Sequence, residues 1–385
     1  MKYESFVLEN WLNPACDSEK NRIYLGGSCV LPLTVKELFE LTGEDLGAFM
    51  KWVEEMNLAY PEFAGTERTR KAIAGLYKNV SWEEVILVHG GTGANSTVVN
   101  TLLEAGDNII SIVPNYQQFH SMPKAIGVEV RDVHLDAKAG YKLNLDDVRK
   151  AVDKNTKAIM FTNPNNPTGS LLEPEEMAEM VEIARSVDAY VVCDEMYRGL
   201  KEGYMPSFAD IYEKAIVTAS SSKIFSMAGT RVGWIVCKDP SLMFDLFNYR
   251  SYDSLCGGKF DEVLFAFAAE HADKIYARSR NIVNGNKKII DEWLKDHKYL
   301  HQYADAYGTT YLIHYDVDVD AETFCDRLLD EKGVLVCHGD CFFLPHTFRM
   351  TLSHAVPEEL KEGLRLIDEF IDELLAEDPA RHVKF

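Results

Sequence analysis

From residue 85 onward the chain alternates short apolar, β-branched runs with longer stretches of helical composition. Val85-Ile86-Leu87-Val88 is followed by a Gly90-Gly91-Thr92-Gly93 turn and a helix predicted over 94–103. Ile109 to Val113, a helix near 117–126 and Val128 to Val133 repeat the pattern. So do Lys157 to Phe161, a helix over 174–187, Tyr190 to Cys193, Ala215 to Ala219 and Val232 to Cys237. Unbroken apolar runs of this length suit strands buried on both faces. Strands separated by helices predict an α/β fold, a mostly parallel sheet of the seven-stranded type covered by helices.

The flanking segments read differently. A polar opening leads to the Gly26-Gly27 turn after Ile23-Tyr24-Leu25, and 34–41 has helical composition. Tyr60-Pro61-Glu62-Phe63-Ala64-Gly65 reads as a loop ahead of a helical stretch over 66–77. Beyond residue 239 the pattern is mainly helical to Trp293, and strands over 309–314 and 334–337 follow among helices. The last helix, 357–375, carries an amphipathic stripe of Leu360, Leu364, Ile367, Phe370, Ile371 and Leu374. The expected division is a large α/β domain over 46–270 and a smaller α+β domain built from 1–45 and 271–385.

Charge narrows the partners. With 61 acidic against 40 basic residues the net charge is −21, which argues against nucleic acid, since that needs a basic face. The eight cysteines contain no Cys-x-x-Cys pair and sit in apolar runs, as reduced buried thiols do. Cys337-His338 with Cys341 lacks the further ligands of a zinc site, so no metal is expected. Neither a signal peptide nor an apolar run long enough to span a membrane is legible, and a cytoplasmic location is expected.

Candidate chemistry collects at predicted strand ends, where parallel sheets bind ligands. Ser220-Ser221-Ser222-Lys223 ends one strand, and Arg231 opens the next. A lysine among small polar residues there can form a Schiff base with an aldehyde, while serines and an arginine grip a phosphate. Gly91-Thr92-Gly93 precedes a helix whose N–H groups and dipole suit an anion, although no Walker lysine completes it. Asn166 sits in a rigid turn, Asn163-Pro164-Asn165-Asn166-Pro167-Thr168-Gly169. Asp194 follows Val191-Val192-Cys193 and, partly buried, needs a cationic partner. Tyr116, after Pro114-Asn115, offers a ring to stack on a flat ligand.

Taken in order, these residues resemble the pyridoxal-phosphate enzymes of fold type I, the aspartate aminotransferase superfamily, class I/II. The likeness runs from Tyr60, five residues before Gly65, through Asp194 with Tyr197 to Arg349 in Phe348-Arg349-Met350-Thr351. It implies pyridoxal 5′-phosphate as cofactor, with Lys223 holding it as a Schiff base and then carrying a proton. Asp194 is implied at the ring nitrogen, Tyr197 and Asn166 at the phenolic oxygen, and Tyr116 on the ring face. Gly91, Thr92, Ser220 and Arg231 are implied at the phosphate, joined by Tyr60 from the partner subunit of a homodimer. Arg349 is implied at the substrate α-carboxylate, with Asn166 and Gly27 also on the substrate side.

The segment His338-Gly339-Asp340-Cys341-Phe342-Phe343 departs from the family's pattern, and it is expected to border the substrate. Arg250 reads as a helix-surface arginine, with reach across a dimer interface as the alternative. The function implied is an aminotransferase acting between an L-amino acid and a 2-oxo acid. The same cofactor residues also serve lyases, cyclases and racemases, since all begin from a Cα carbanion. Leu8-Glu9-Asn10-Trp11-Leu12 and Cys325-Asp326-Arg327-Leu328-Leu329 resemble members of the capreomycidine synthase type. A cofactor-sensing regulatory domain is disfavoured by the acidic charge and the lack of a DNA-binding motif before residue 20.

Overall fold

A computed structural model of the protein describes residues 2–383. Its seven-stranded sheet comprises β1 (Val85–His89), β2 (Asn108–Val113), β3 (Glu129–His134), β4 (Thr156–Thr162), β5 (Tyr190–Asp194), β6 (Ala215–Ser220) and β7 (Val232–Cys237). The spatial order is β1-β7-β6-β5-β4-β2-β3. Only β7 runs against its neighbours; β2 to β6 are parallel wherever they pair. The strand period of two divides the side chains between the faces. Ile86 and Val88 pack in one cluster with Val98 and Leu246, while Val85 and Leu87 join the larger core on the other face.

This topology puts the carboxyl ends of β1, β2, β4, β5 and β6 along one edge. Thr162 pairs with Asp194, and Asp194 with Thr218, so three polar residues stand side by side there. Because β7 runs in reverse, Arg231 at its start reaches the same edge, where the Gly90 N–H donates to the Arg231 carbonyl (2.8 Å).

A second, antiparallel sheet has the order Cys337–His338, Thr347–Thr351, Thr310–Tyr315, Leu300–His301. Helices Ala321–Lys332 and Pro357–Glu377 belong to the same unit, and the expected stripe on the latter is buried. Both chain ends meet here: Ile23–Tyr24 pairs in parallel with Val334–Leu335. Helix Val7–Cys16 sets Leu8 and Leu12 against Leu329, Leu335 and Cys337.

Several expectations change. The opening segment is not merely polar chain but a helix, and Leu46–Glu55, Leu145–Ala151 and Ala321–Lys332 are helices that the pattern left undrawn. Gly90 to Gly93 do not form a free turn; the helix begins at Gly90 and runs to Leu102. Gly90 takes a positive φ of 65°, which glycine adopts at no steric cost. The single run 334–337 divides into two short strands. Arg250 is neither on the helix surface nor reaching outward. It is fully buried, donating through Nη1 to the carbonyls of Phe63 and Leu255.

Candidate active site

The edge formed by the strand ends opens into a cavity of about 640 Å³. Lys223, Asp194, Tyr197, Asn166, Tyr116, Gly91, Thr92, Ser220, Arg231, Arg349 and Gly27 all line it. Of the expected site residues only Tyr60 does not; it lies 72% exposed on its loop, between exposed Leu58 and Phe63.

Asp194 is buried and held from two sides. The Asn95 side-chain amide donates to Oδ2 (3.1 Å), and the Met196 N–H donates to Oδ1 (3.0 Å). The Thr218 hydroxyl donates to Asn95 Oδ1 (2.6 Å), which fixes the amide with its NH₂ toward Asp194. Burial pushes the Asp194 carboxyl up to about 6, although the Asn95 and Met196 donors and the Lys223 charge all work to lower it. The next residue, Glu195, is pushed up to about 7 by burial, opposed first by its ion pair with Arg198 (2.9 Å).

Lys223 Nζ donates to Ser28 Oγ (2.8 Å) and stands within electrostatic reach of Tyr197, Arg349 and Glu9. At the start of helix Gly90–Leu102, a Cβ on Gly91 would collide with the Met196 methyl and lie 2.8 Å from its sulfur. Ser220 Oγ accepts the Ser222 N–H (3.2 Å). Bare backbone at a helix start, two serines and the Arg231 guanidinium thus surround one space, a donor set suited to a phosphate.

Arg349 comes from the antiparallel sheet and is 2% exposed. Nη1 donates to Asn166 Oδ1 (3.1 Å), Nη2 donates to the Gly26 carbonyl (2.8 Å), and Nε has no partner. The Phe342 ring lies beneath the guanidinium, 5.2 Å away. A buried cation that lines the cavity invites a carboxylate. Because Asn166 spends its oxygen on Arg349, its NH₂ remains to donate into the cavity. The segment expected to border the substrate does not: Cys341 and Phe342 are buried behind Arg349, Phe343 is exposed, and none lines the cavity. There Cys341 Sγ contacts His338 Nε2 (3.2 Å), and among the described residues no group of His, Cys, Asp or Glu is arranged to hold a metal.

Sequence reasoning passed over Asn95, Thr218, Ser28, Cys29, Tyr24, His354 and Glu9. Asn95 and Thr218 did carry a signal. Asn95 is one helical turn from Gly91, and Thr218 shares a strand face with Ser220. The others come from the chain ends, where nothing local announces a site. Glu9 reaches the cavity from helix Val7–Cys16 and accepts the Tyr116 hydroxyl (2.7 Å).

Comparison with known proteins finds likenesses over most of the chain. The family model described as aminotransferase class I and II matches residues 54–367. The crystal structure of a PLP-dependent aminotransferase from Streptococcus suis 89-1591 superimposes with a TM-score of 0.93 at 33% identity, covering 97% of this chain and 99% of that one. A capreomycidine synthase of Streptomyces vinaceus is 26% identical over 365 residues, 94% of this chain and 92% of its own. An aspartate aminotransferase of Sulfurisphaera tokodaii is 28% identical over 348 residues, 85% of this chain and 86% of its own.

Proposed function

The chain belongs to the aminotransferase class I and II family, and from that premise we propose that it moves an amino group between an L-amino acid and a 2-oxo acid. Members of this family use pyridoxal 5′-phosphate. The lining residues fit that group, since the Gly91 cradle, the Asp194 carboxylate and the Asn166 NH₂ match a phosphate, a ring nitrogen and a phenolic oxygen. When bound, the cofactor supplies an aldehyde for the amino group and an electron sink for charge developing at substrate Cα.

The protein's own part is to bind, orient and move a proton. Gly91, Thr92, Ser220 and Arg231 hold the phosphate. Asp194, kept in place by Asn95, faces the ring nitrogen, and a cation there reverses the upward push of burial on its pKa. Tyr197 and Asn166 donate to the phenolic oxygen, and Tyr116 packs on the ring. Arg349, a buried cation lining the cavity, pairs with the α-carboxylate, which sets the orientation of the Cα–H bond. Lys223 would hold the cofactor's aldehyde through Nζ, and its free amine would take the proton from substrate Cα. The observation that carries the reading is the opening onto one cavity of Lys223, on the turn after β6, and Arg349, from the antiparallel sheet.

The expected assembly is a homodimer in which Tyr60 completes the partner's phosphate site, and the exposed Leu58-Tyr60-Phe63 loop supports it. Eight free cysteines fit a cytoplasmic enzyme, and no helix among the described residues is long and apolar enough to cross a membrane. A second reading, elimination or cyclisation, is favoured by the capreomycidine synthase likeness extending over 94% of this chain. Racemisation would use the same residues. Borohydride reduction of the yellow holoenzyme followed by peptide mapping tests the core assignment: the label should fall on Lys223, and a label on any other lysine would contradict it.

A further inference from the structure

Three basic side chains line the cavity: Lys223, Arg231 and Arg349. Under the proposed function, on which this inference rests, each is committed, to the cofactor's aldehyde, its phosphate and the substrate α-carboxylate. Asp194 is committed as well, at the ring nitrogen. One charged lining residue is left over, Glu9. We propose that Glu9 selects the substrate side chain, and that the substrate is an L-amino acid whose side chain ends in an ammonium or guanidinium group.

Glu9 is fixed rather than trailing. The Val7 N–H donates to Gln117 Oε1 (2.9 Å), and Gln117 Nε2 donates to the Ser5 carbonyl (2.8 Å). Leu8 and Leu12 are buried against the small sheet, and the Phe6 ring packs on Tyr116 at 5.1 Å. A side chain carried on a clamped helix can be a selective element, because its position is set before substrate arrives. One Glu9 oxygen accepts the Tyr116 hydroxyl, and a carboxylate has capacity for further donors.

The neighbouring polar groups point the same way. His354 lines the cavity with Nδ1 facing the Cys29 carbonyl (3.2 Å), so that nitrogen carries a proton and is spent on the backbone. A side-chain carboxylate would meet Glu9 with like charge and find no uncommitted cation of this chain among the lining residues. A cationic side chain would meet a half-buried carboxylate, where screening by water is reduced.

Calorimetric titration of the holoenzyme with unreactive acids lacking the α-amino group tests this. 5-Guanidinopentanoate should bind more tightly than hexanoate or adipate. In Glu9→Gln its affinity should fall about tenfold or more, with hexanoate little changed. Adipate binding tightest, or Glu9→Gln weakening all three acids alike, would overturn the proposal. Should the variant not fold, the ranking in the parent protein decides. The cofactor's absorbance, followed with L-ornithine, L-arginine, L-norleucine and L-glutamate, separates this inference from the reading beneath it. A response to glutamate but to neither basic amino acid would overturn the inference alone. No response to any of the four would overturn both.

Discussion

Thr218 donates to Asn95, and that hydroxyl decides which end of the amide faces Asp194. The result is a carboxylate met by donors yet buried, and burial raises its pKa from 3.8 to about 6. The sign of the consequence follows from linkage. A carboxyl that holds its proton more tightly when folded stabilises the fold below about pH 4, and that contribution is lost as the pH rises through about 6. Cofactor-free protein should therefore lose about 2 kcal/mol between those pH values that Asp194→Asn retains. Urea denaturation across that range checks it, and parallel pH profiles for the two proteins would contradict it. Residues at strand ends were legible in the sequence because a parallel sheet collects its ligand groups there. Glu9, Ser28 and His354 were not, because their nearness to Lys223 arises only when the chain ends fold back.

At the scale of elements, the same contrast separates the sheet from what surrounds it. The strands of the large sheet emerged to within one or two residues, six of them from largely apolar runs whose burial on both faces leaves a continuous signal, whereas β3 at the sheet edge buries only Val133. Helix Val7–Cys16 buries only Leu8 and Leu12, and it contains Asn10, Asn13 and Pro14, so its periodic signal is two residues strong. Arg250 misled for a related reason: composition marks arginine as a surface residue, and only the fold places it under the Tyr60 loop. With its guanidinium holding the Phe63 and Leu255 carbonyls, Arg250→Ala should destabilise the protein by about 3 kcal/mol. A loss below about 0.5 kcal/mol in chemical denaturation, typical of a surface change, would show that these contacts carry no weight.

On the scale of the whole molecule, an α/β fold with a mainly parallel central sheet covered by helices was legible. The contact that matters, Arg349 with Asn166 (3.1 Å), was not, because it joins two sheets that no local pattern relates. Assembly extends the same logic to a second chain. Mixing Tyr60→Phe with Lys223→Ala protein should raise activity above the sum of the two, because heterodimers would carry one site with both residues intact. No gain after verified subunit exchange would place Tyr60 outside the partner's site. The central claim is that this set of residues transfers the amino group rather than expelling or cyclising it. It is tested most directly by one half-reaction, with holoenzyme and the best amino acid of the panel, no oxo acid added, and products counted per site. Transamination predicts one equivalent of 2-oxo acid per site and then a halt until an oxo acid is supplied. Continuing turnover that releases ammonia, a cyclised product or the opposite enantiomer would contradict it.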